Sequence, residues 1–286
     1  MWTQVVGKIR MAHLPLVNHW WQVTLYVSPR GLSTGAMPVG GAVFDMEFDF
    51  IEHQLVIRHS DGGRRLVPLA PGPIADFYSD TMSALHDLGL ETRIDTRPNE
   101  VEPAVAFDDD HQHRAYDGEA ARHFWQQLVQ ADRVMGEFRA HFIGKVSPVH
   151  FFWGSFDMAC TRFSGRPAPE HPGGAPNVGD WVMVEGYSHE LSSCGFWPGG
   201  GNEGAFYSYA YPEPEGFREF RVSPQEAFFS DDYQQFLLPY EAVRNAEDPD
   251  SHLMQFLQTT YAAAAELAGW DRDALEDHPA RWQSRR

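Results

Sequence analysis

The chain has 286 residues, 43% of them hydrophobic, which is enough apolar material for one large core or two small ones and excludes a disordered polymer. Lys+Arg number 22 against 40 Asp+Glu, a formal charge of −18 whose field repels phosphate backbones and anionic headgroups, so neither nucleic acid nor a membrane is an expected partner. No stretch approaches the roughly 20 apolar residues of a spanning helix. Met1 to Arg10 lacks the apolar segment of a secretory signal, and two cysteines build no disulfide framework, so a cytoplasmic protein is expected.

Along the first half, Trp20 to Val27 is rich in β-branched and aromatic residues and stops at Ser28-Pro29-Arg30-Gly31, which predicts a strand and turn. Phe44-Asp45-Met46-Glu47-Phe48-Asp49-Phe50 alternates without a fault. Its four apolar side chains face a core, and its three carboxylates read most simply as a solvated sheet face helped by Arg58 or Arg64. Residues 55–59 and 65–69 flank Asp61-Gly62-Gly63, a hairpin signature. Pro73 opens a helix with Ile74, Phe77, Tyr78, Leu85 and Leu88 at helical spacing and Gly89 as its stop. Leu90, Thr92 and Ile94 predict a following strand. Residues 97–116, with Pro98, Pro103 and Asp108 to Asp110, show no periodicity and read as a linker.

In the second half, Asp117 caps a helix running to about Ile143, with Ala121, Phe124, Leu128, Met135, Phe138 and Phe142 on one stripe. Val149 to Phe163 is apolar on both alternating sets, the pattern of one central strand buried on both faces. A Pro/Gly loop, 164–179, leads to strands at 187–196 and 206–211 joined through Gly199-Gly200-Gly201. Asp248 and Pro249 start a last helix closed by Gly269, and the tail from Asp271 is polar. Strands first and long helices later argue α+β, with antiparallel sheets on which long helices pack, and leave room for two similar halves. The expected organisation is one compact unit over 1–286, with a sub-division into 1–110 and 117–270.

Five strings carry a resemblance: Leu16-Val17-Asn18-His19-Trp20-Trp21, His150-Phe151-Phe152-Trp153-Gly154-Ser155-Phe156-Asp157, His171-Pro172-Gly173-Gly174, Ser188-His189-Glu190-Leu191-Ser192-Ser193-Cys194-Gly195-Phe196-Trp197-Pro198-Gly199 and Phe206-Tyr207-Ser208-Tyr209-Ala210-Tyr211-Pro212-Glu213-Pro214. Together they resemble, over the whole chain, a family of bacterial proteins classed as a domain of unknown function. The resemblance implies one family unit and brings no activity, cofactor or catalytic residue.

Chemistry is therefore read from the residues. Asp157 is a carboxylate inside an apolar strand, where burial demands a hydrogen bond or a cation such as Arg162, His150 or His189. It is either an acid/base group and ligand anchor or a structural acceptor. His189 and Glu190 are adjacent in a strand and point to opposite faces, which argues against a direct dyad. A metal site would draw on His19, His150, His171 and His189, but no ligand spacing supports it, and the cofactor stays unknown. Cys194 reads as a small buried hydrophobe rather than a nucleophile. The leading expectation is a small-molecule pocket in the second half, with Asp157, His189 and Tyr207 as catalytic groups. His19, Trp153, Arg162, His171, Glu190 and Trp197 would be its binding residues. The alternatives are a non-catalytic protein-interaction module with an acidic aromatic surface, and a metal-dependent hydrolase or oxygenase.

Overall fold

The structure, a computed structural model, describes residues 1–199 and 203–277. Among them are seven α-helices and two antiparallel sheets of six strands, an α+β architecture. The chain divides into two compact units. One comprises Met1–Val129, Phe151–Phe156 and Pro172–Gly186, the other Gln130–His150, Asp157–His171 and the chain from Tyr187 onward.

The first unit opens with α1 (Trp2–His13), a helix that the hydrophobic pattern conceals because Thr3 to Arg10 are all buried, Gln4, Lys8 and Arg10 included. Gly7 is required there: a Cβ would lie 2.2 Å from the Trp153 indole. The predicted strand at Trp20 to Val27 is mostly something else. A 3-10 turn covers Asn18–Trp20, with His19 and Trp20 both in the left-handed region, and β1 is reduced to Tyr26–Val27. β2 (Gly31–Ser33), β3 (Met37–Val39), β4 (Ala42–Asp49), β5 (Gln54–His59) and β6 (Arg64–Pro68) complete the sheet in the order β1-β2-β4-β5-β6, with β3 also on β4. The β5–β6 hairpin and α2 (Ile74–His86) fall where the sequence predicts them, and Gly89 has φ +71° after the helix. Leu90 to Ile94 forms no strand.

The carboxylate face of β4 is a correction. Phe44, Met46 and Phe48 are buried as expected, but so are Glu47 and Asp49. Arg58, opposite Asp45 on β5, holds Asp45 at 2.6 Å and Glu47 at 2.8 Å, Arg30 holds Asp49 at 2.6 Å, and the Ser28 hydroxyl donates to Glu47 at 2.6 Å. The face is a paired charge layer rather than a solvated one, built on Arg58 and Arg30 in place of Arg64. α3 (Gly118–Ala140), capped by Asp117 through the Ala120 N–H at 3.0 Å, runs from the first unit into the second.

Further along the chain, the predicted single strand at Val149 to Phe163 is two strands, β7 (His150–Phe152) and β8 (Asp157–Pro167), separated by a turn in which Phe156 is left-handed; β8 belongs to the second unit, the turn residues to the first. Apolar residues on both sides of the turn hide it in the sequence. A short helix, α4 (Asp180–Gly186), precedes β9 (His189–Trp197) and belongs to the first unit. β10 (Ala205–Tyr211) follows, then β11 (Phe228–Ser230) and β12 (Gln235–Pro239), which the sequence pattern does not predict. Of the predicted Gly199-Gly200-Gly201 connection, residues 200 and 201 lie outside the described residues. The sheet order is β11-β12-β10-β9-β8-β7. α5 (Tyr240–Arg244), α6 (Pro249–Leu267) and α7 (Arg272–Leu275) end the described chain, and α6 starts as predicted, with Asp248 accepting from the Ser251 N–H at 3.1 Å.

Register gives this second sheet two unlike faces. Met158, Phe196, Phe206 and Leu238 form one row across β8, β9, β10 and β12, and Cys160, Cys194, Ser208 and Phe236 form the next. This face is buried, with α6 packed on β9 and β10, and the opposite face is largely buried too, Ala159, Ser193 and Tyr207 included. The opposite face carries Ala159, Gly195, Tyr207 and Leu237 in one row and Thr161, Ser193 and Tyr209 in the next.

Candidate functional site

Asp157 and the tyrosines of β10 share that second face. Asp157 opens β8 directly after the turn, so it stands at a strand end rather than mid-strand as expected. It is 8% exposed, and the Tyr207 hydroxyl donates to its Oδ2 in a short, buried hydrogen bond. The two residues lie on β8 and β10, with β9 between them, a lateral span of about 9.5 Å. Gly195 occupies the intervening position, opposite both Ala159 and Tyr207. A Cβ there would lie 2.4 Å from the Tyr207 hydroxyl and 2.1 Å from the Met158 carbonyl oxygen, so the bare backbone of Gly195 is the floor over which the phenol reaches the carboxylate.

Burial, and then the neighbouring Asp157 carboxylate, push the Tyr207 phenol well above its ordinary value. At neutral pH the proton therefore stays on Tyr207, and the phenol is not a general base. The row continues outward. Tyr209 stacks beside Tyr207 at 6.1 Å, and its hydroxyl lies 2.9 Å from that of half-buried Tyr187. Burial raises the Tyr209 phenol, and hydrogen bonds to Tyr187 and Ser193 hold it part of the way back. Thr161 and Ser193 hydroxyls meet at 2.9 Å on the same face. His171 lies against the rings of Tyr187 and Tyr211 at 4.6 and 5.4 Å, and Tyr211 donates to the Pro169 carbonyl at 3.0 Å. Asp157, Tyr207, Tyr209, Tyr187 and His171 thus form one continuous strip of acceptors, hydroxyls and ring faces.

Other expected members are elsewhere. His189 shares the face, but it precedes Gly195 by six strand residues, roughly 20 Å, and bonds the Ser188 hydroxyl at 3.0 Å. It is not the partner of Asp157. Glu190 projects to the other face, as strand alternation requires, where Ser164 and Arg166 each donate to it at 2.8 Å. Arg162 also points away from Asp157. Its side chain is 1% exposed, donates to the Phe138 carbonyl, and is boxed by Phe138, Tyr261 and Phe142 with ring centroids 3.5, 4.3 and 5.1 Å from the guanidinium carbon. The odd spacing from 157 to 162 puts the two on opposite faces, which rules out Arg162, one of the expected cations. Trp197 stacks edge-on to Tyr233 at 5.8 Å.

His19 and Trp153 belong to the first unit. The His19 backbone N–H donates to both Glu185 carboxylate oxygens at 2.9 Å, and its Nδ1 donates to the Gly186 carbonyl at 2.9 Å. The Trp153 indole N–H donates to the Val23 carbonyl at 2.7 Å. Among the described residues, no group of three or more His, Cys, Asp or Glu side chains could hold a metal ion. Cys160 and Cys194 are buried free thiols facing each other across β8 and β9. Burial pushes Cys160 up to about 11 and raises Cys194 well above its ordinary value, so both are held as inert thiols. Sequence reasoning missed Gly195 and the Tyr187–Tyr209 contact. The available signal was a lone glycine inside a strand pattern, which marks close approach.

Fold and strip together define an α+β protein whose second sheet buries one apolar face and lines the other with phenols around a buried carboxylate. The chain belongs to the DUF5996 family, a family of unknown function, which matches residues 1–277 of the 286. No curated protein and no solved structure matches it.

Proposed function

We propose that this protein binds a small polar molecule on the tyrosine face of its second sheet, anchored at Asp157 and Tyr207. The observation that carries the reading is the buried phenol–carboxylate hydrogen bond laid across Gly195. A carboxylate is expensive to bury, and a strand glycine weakens a sheet. The chain accepts both where they put acceptor oxygens at the inner end of a strip of half-buried phenols. Tyr207 spends its proton on Asp157, so its oxygen accepts, and a complementary ligand brings donors: hydroxyls or a protonated amine. The ring faces of Tyr187, Tyr209 and Tyr211 supply apolar contact.

The charge of −18 supports a neutral or cationic ligand and argues against nucleic-acid and anionic-membrane partners. No described helix is long and apolar enough to cross a membrane. Two cysteines in a chain of 286 residues, with no disulfide framework, support a reducing compartment, hence the cytoplasm. The test is a thermal-shift and native mass-spectrometry screen of the whole chain against polyols, sugars and primary amines, repeated on Asp157→Asn and Tyr207→Phe. A response to at least one compound class, lost in both folded variants, is the expected result. Identical responses in wild type and both variants would overturn the assignment.

A further inference from the structure

We infer that a loop cleft in the first unit is a second, independent binding site, for a small zwitterion of the kind a free amino acid presents. The cleft is shallow and open to solvent, with a volume of about 600 Å³, and is lined by Arg97, Glu102, Pro103, Ala104 and Asn177, all within the first unit.

What distinguishes it from an ordinary surface hollow is how much buried polar chemistry is spent on holding its walls. Gln4 and Lys8, one turn apart on α1, are 3% and 2% exposed. Gln4 makes a reciprocal pair with Asn99, its amide donating to the Asn99 carbonyl and accepting from the Asn99 N–H, both at 2.8 Å. The Lys8 ammonium donates to the Arg97 carbonyl at 2.7 Å, and burial lowers its basicity. Asn99 in turn donates to the Asn177 carbonyl at 2.5 Å, Asn177 donates to the Val101 carbonyl at 2.7 Å, and the Glu100 N–H donates to the Pro176 carbonyl at 2.7 Å. Glu100 and Asn177 are held in the left-handed region, at φ 57° and 54°, where non-glycine residues rarely sit. Surface loops ordinarily need none of this. A buried lysine and glutamine that fix one loop pair, with Glu100 held in a sparsely populated backbone region, organise the cleft in advance of its ligand.

The charges of the lining name the ligand. It carries one cation, Arg97, and one anion, Glu102, and neither side chain is taken up by an ion pair with another described residue. A guanidinium fork matches a carboxylate, and a carboxylate matches an ammonium. Pro103 and Ala104 offer the apolar surface for a short aliphatic side chain.

The experiment is a titration of the whole chain with L-leucine, leucinamide and N-acetyl-leucine, followed at the Ala104 and Asn177 amides by NMR. Leucine is expected to give saturable shifts at millimolar concentration or below, with each capped analogue about tenfold weaker or worse. Arg97→Ala should bring leucine down to the level of leucinamide, and Glu102→Gln to that of N-acetyl-leucine. Both side chains are exposed, so both variants should fold. Absence of any saturable shift, or a capped analogue binding as tightly as leucine, would overturn the inference. So would variants with unchanged leucine affinity. None of these outcomes bears on the tyrosine face of the second unit.

Discussion

Tyr207 and Asp157 stand two strands apart, and their side chains meet above a residue that has none. The hydrogen bond between them therefore depends on three strands at once: the carboxylate at the start of β8, the bare backbone of β9 and the phenol of β10. Its energetics are open to direct measurement.

Tyr207→Phe removes a donor from a buried carboxylate and should cost about 1–3 kcal/mol. Asp157→Asn weakens the same bond from the other side. A double-mutant cycle in urea should give a coupling energy of at least about 1 kcal/mol, whereas additive losses would show that the contact contributes nothing of its own.

Gly195→Ala puts a methyl group where the Tyr207 hydroxyl and the Met158 carbonyl already lie. The expected loss is about 1–3 kcal/mol. In that background the coupling between residues 157 and 207 should disappear, because the phenol can no longer lie across β9. The same cycle repeated on the alanine variant checks this.

Arg162 contributes by filling space more than by carrying charge. Its Nε has no hydrogen-bond partner among the described residues, and three aromatic rings surround the guanidinium. Arg162→Met replaces a desolvated cation with a flexible, polarisable chain and should stay within about 1 kcal/mol of wild type. Arg162→Lys keeps the charge, loses the planar stacking and should be clearly less stable. Urea midpoints rank the two, and the reverse order would assign Arg162 an electrostatic role.

Alkaline pH should destabilise the protein through its buried acids. An unfolded cysteine loses its proton near 9, while folded Cys160 keeps it to about 11. A raised folded value means stability that is complete below pH 9 and declines as pH rises from there through 11, because the unfolded state releases its proton first. The raised Tyr207 phenol continues the decline above pH 10. Unfolding midpoints between pH 8 and about 11 should fall, and Cys160→Ala should flatten the slope. In the native state neither thiol should react with a disulfide reagent at neutral pH.

Much of this architecture was legible in local pattern. Asp61-Gly62-Gly63 marks its hairpin, Pro73 and Gly89 bracket α2, Asp117 and Asp248 cap their helices, and β9 and β10 lie near the expected boundaries. The failures have two causes. α1 buries Gln4 and Lys8, and the carboxylates of β4 are covered and paired, so polarity stopped reporting exposure where a partner elsewhere in the chain satisfied the group. The turn before Asp157 sits among aromatics, so nothing in the apolar pattern marks it.

The candidate site divides the same way. Composition and strand alternation were enough to single out Asp157 and the tyrosines 207, 209 and 211, and to separate His189 from Glu190, since period-two geometry is a property of the single strand. Which of these side chains touch was decided by register between strands, a matter of long-range pairing that residue spacing does not encode. Register set Gly195 between Tyr207 and Asp157, carried Arg162 to the helix-covered face and left His189 some six residues away along its strand. Side-chain chemistry was written locally, and juxtaposition was written only in the folded sheet.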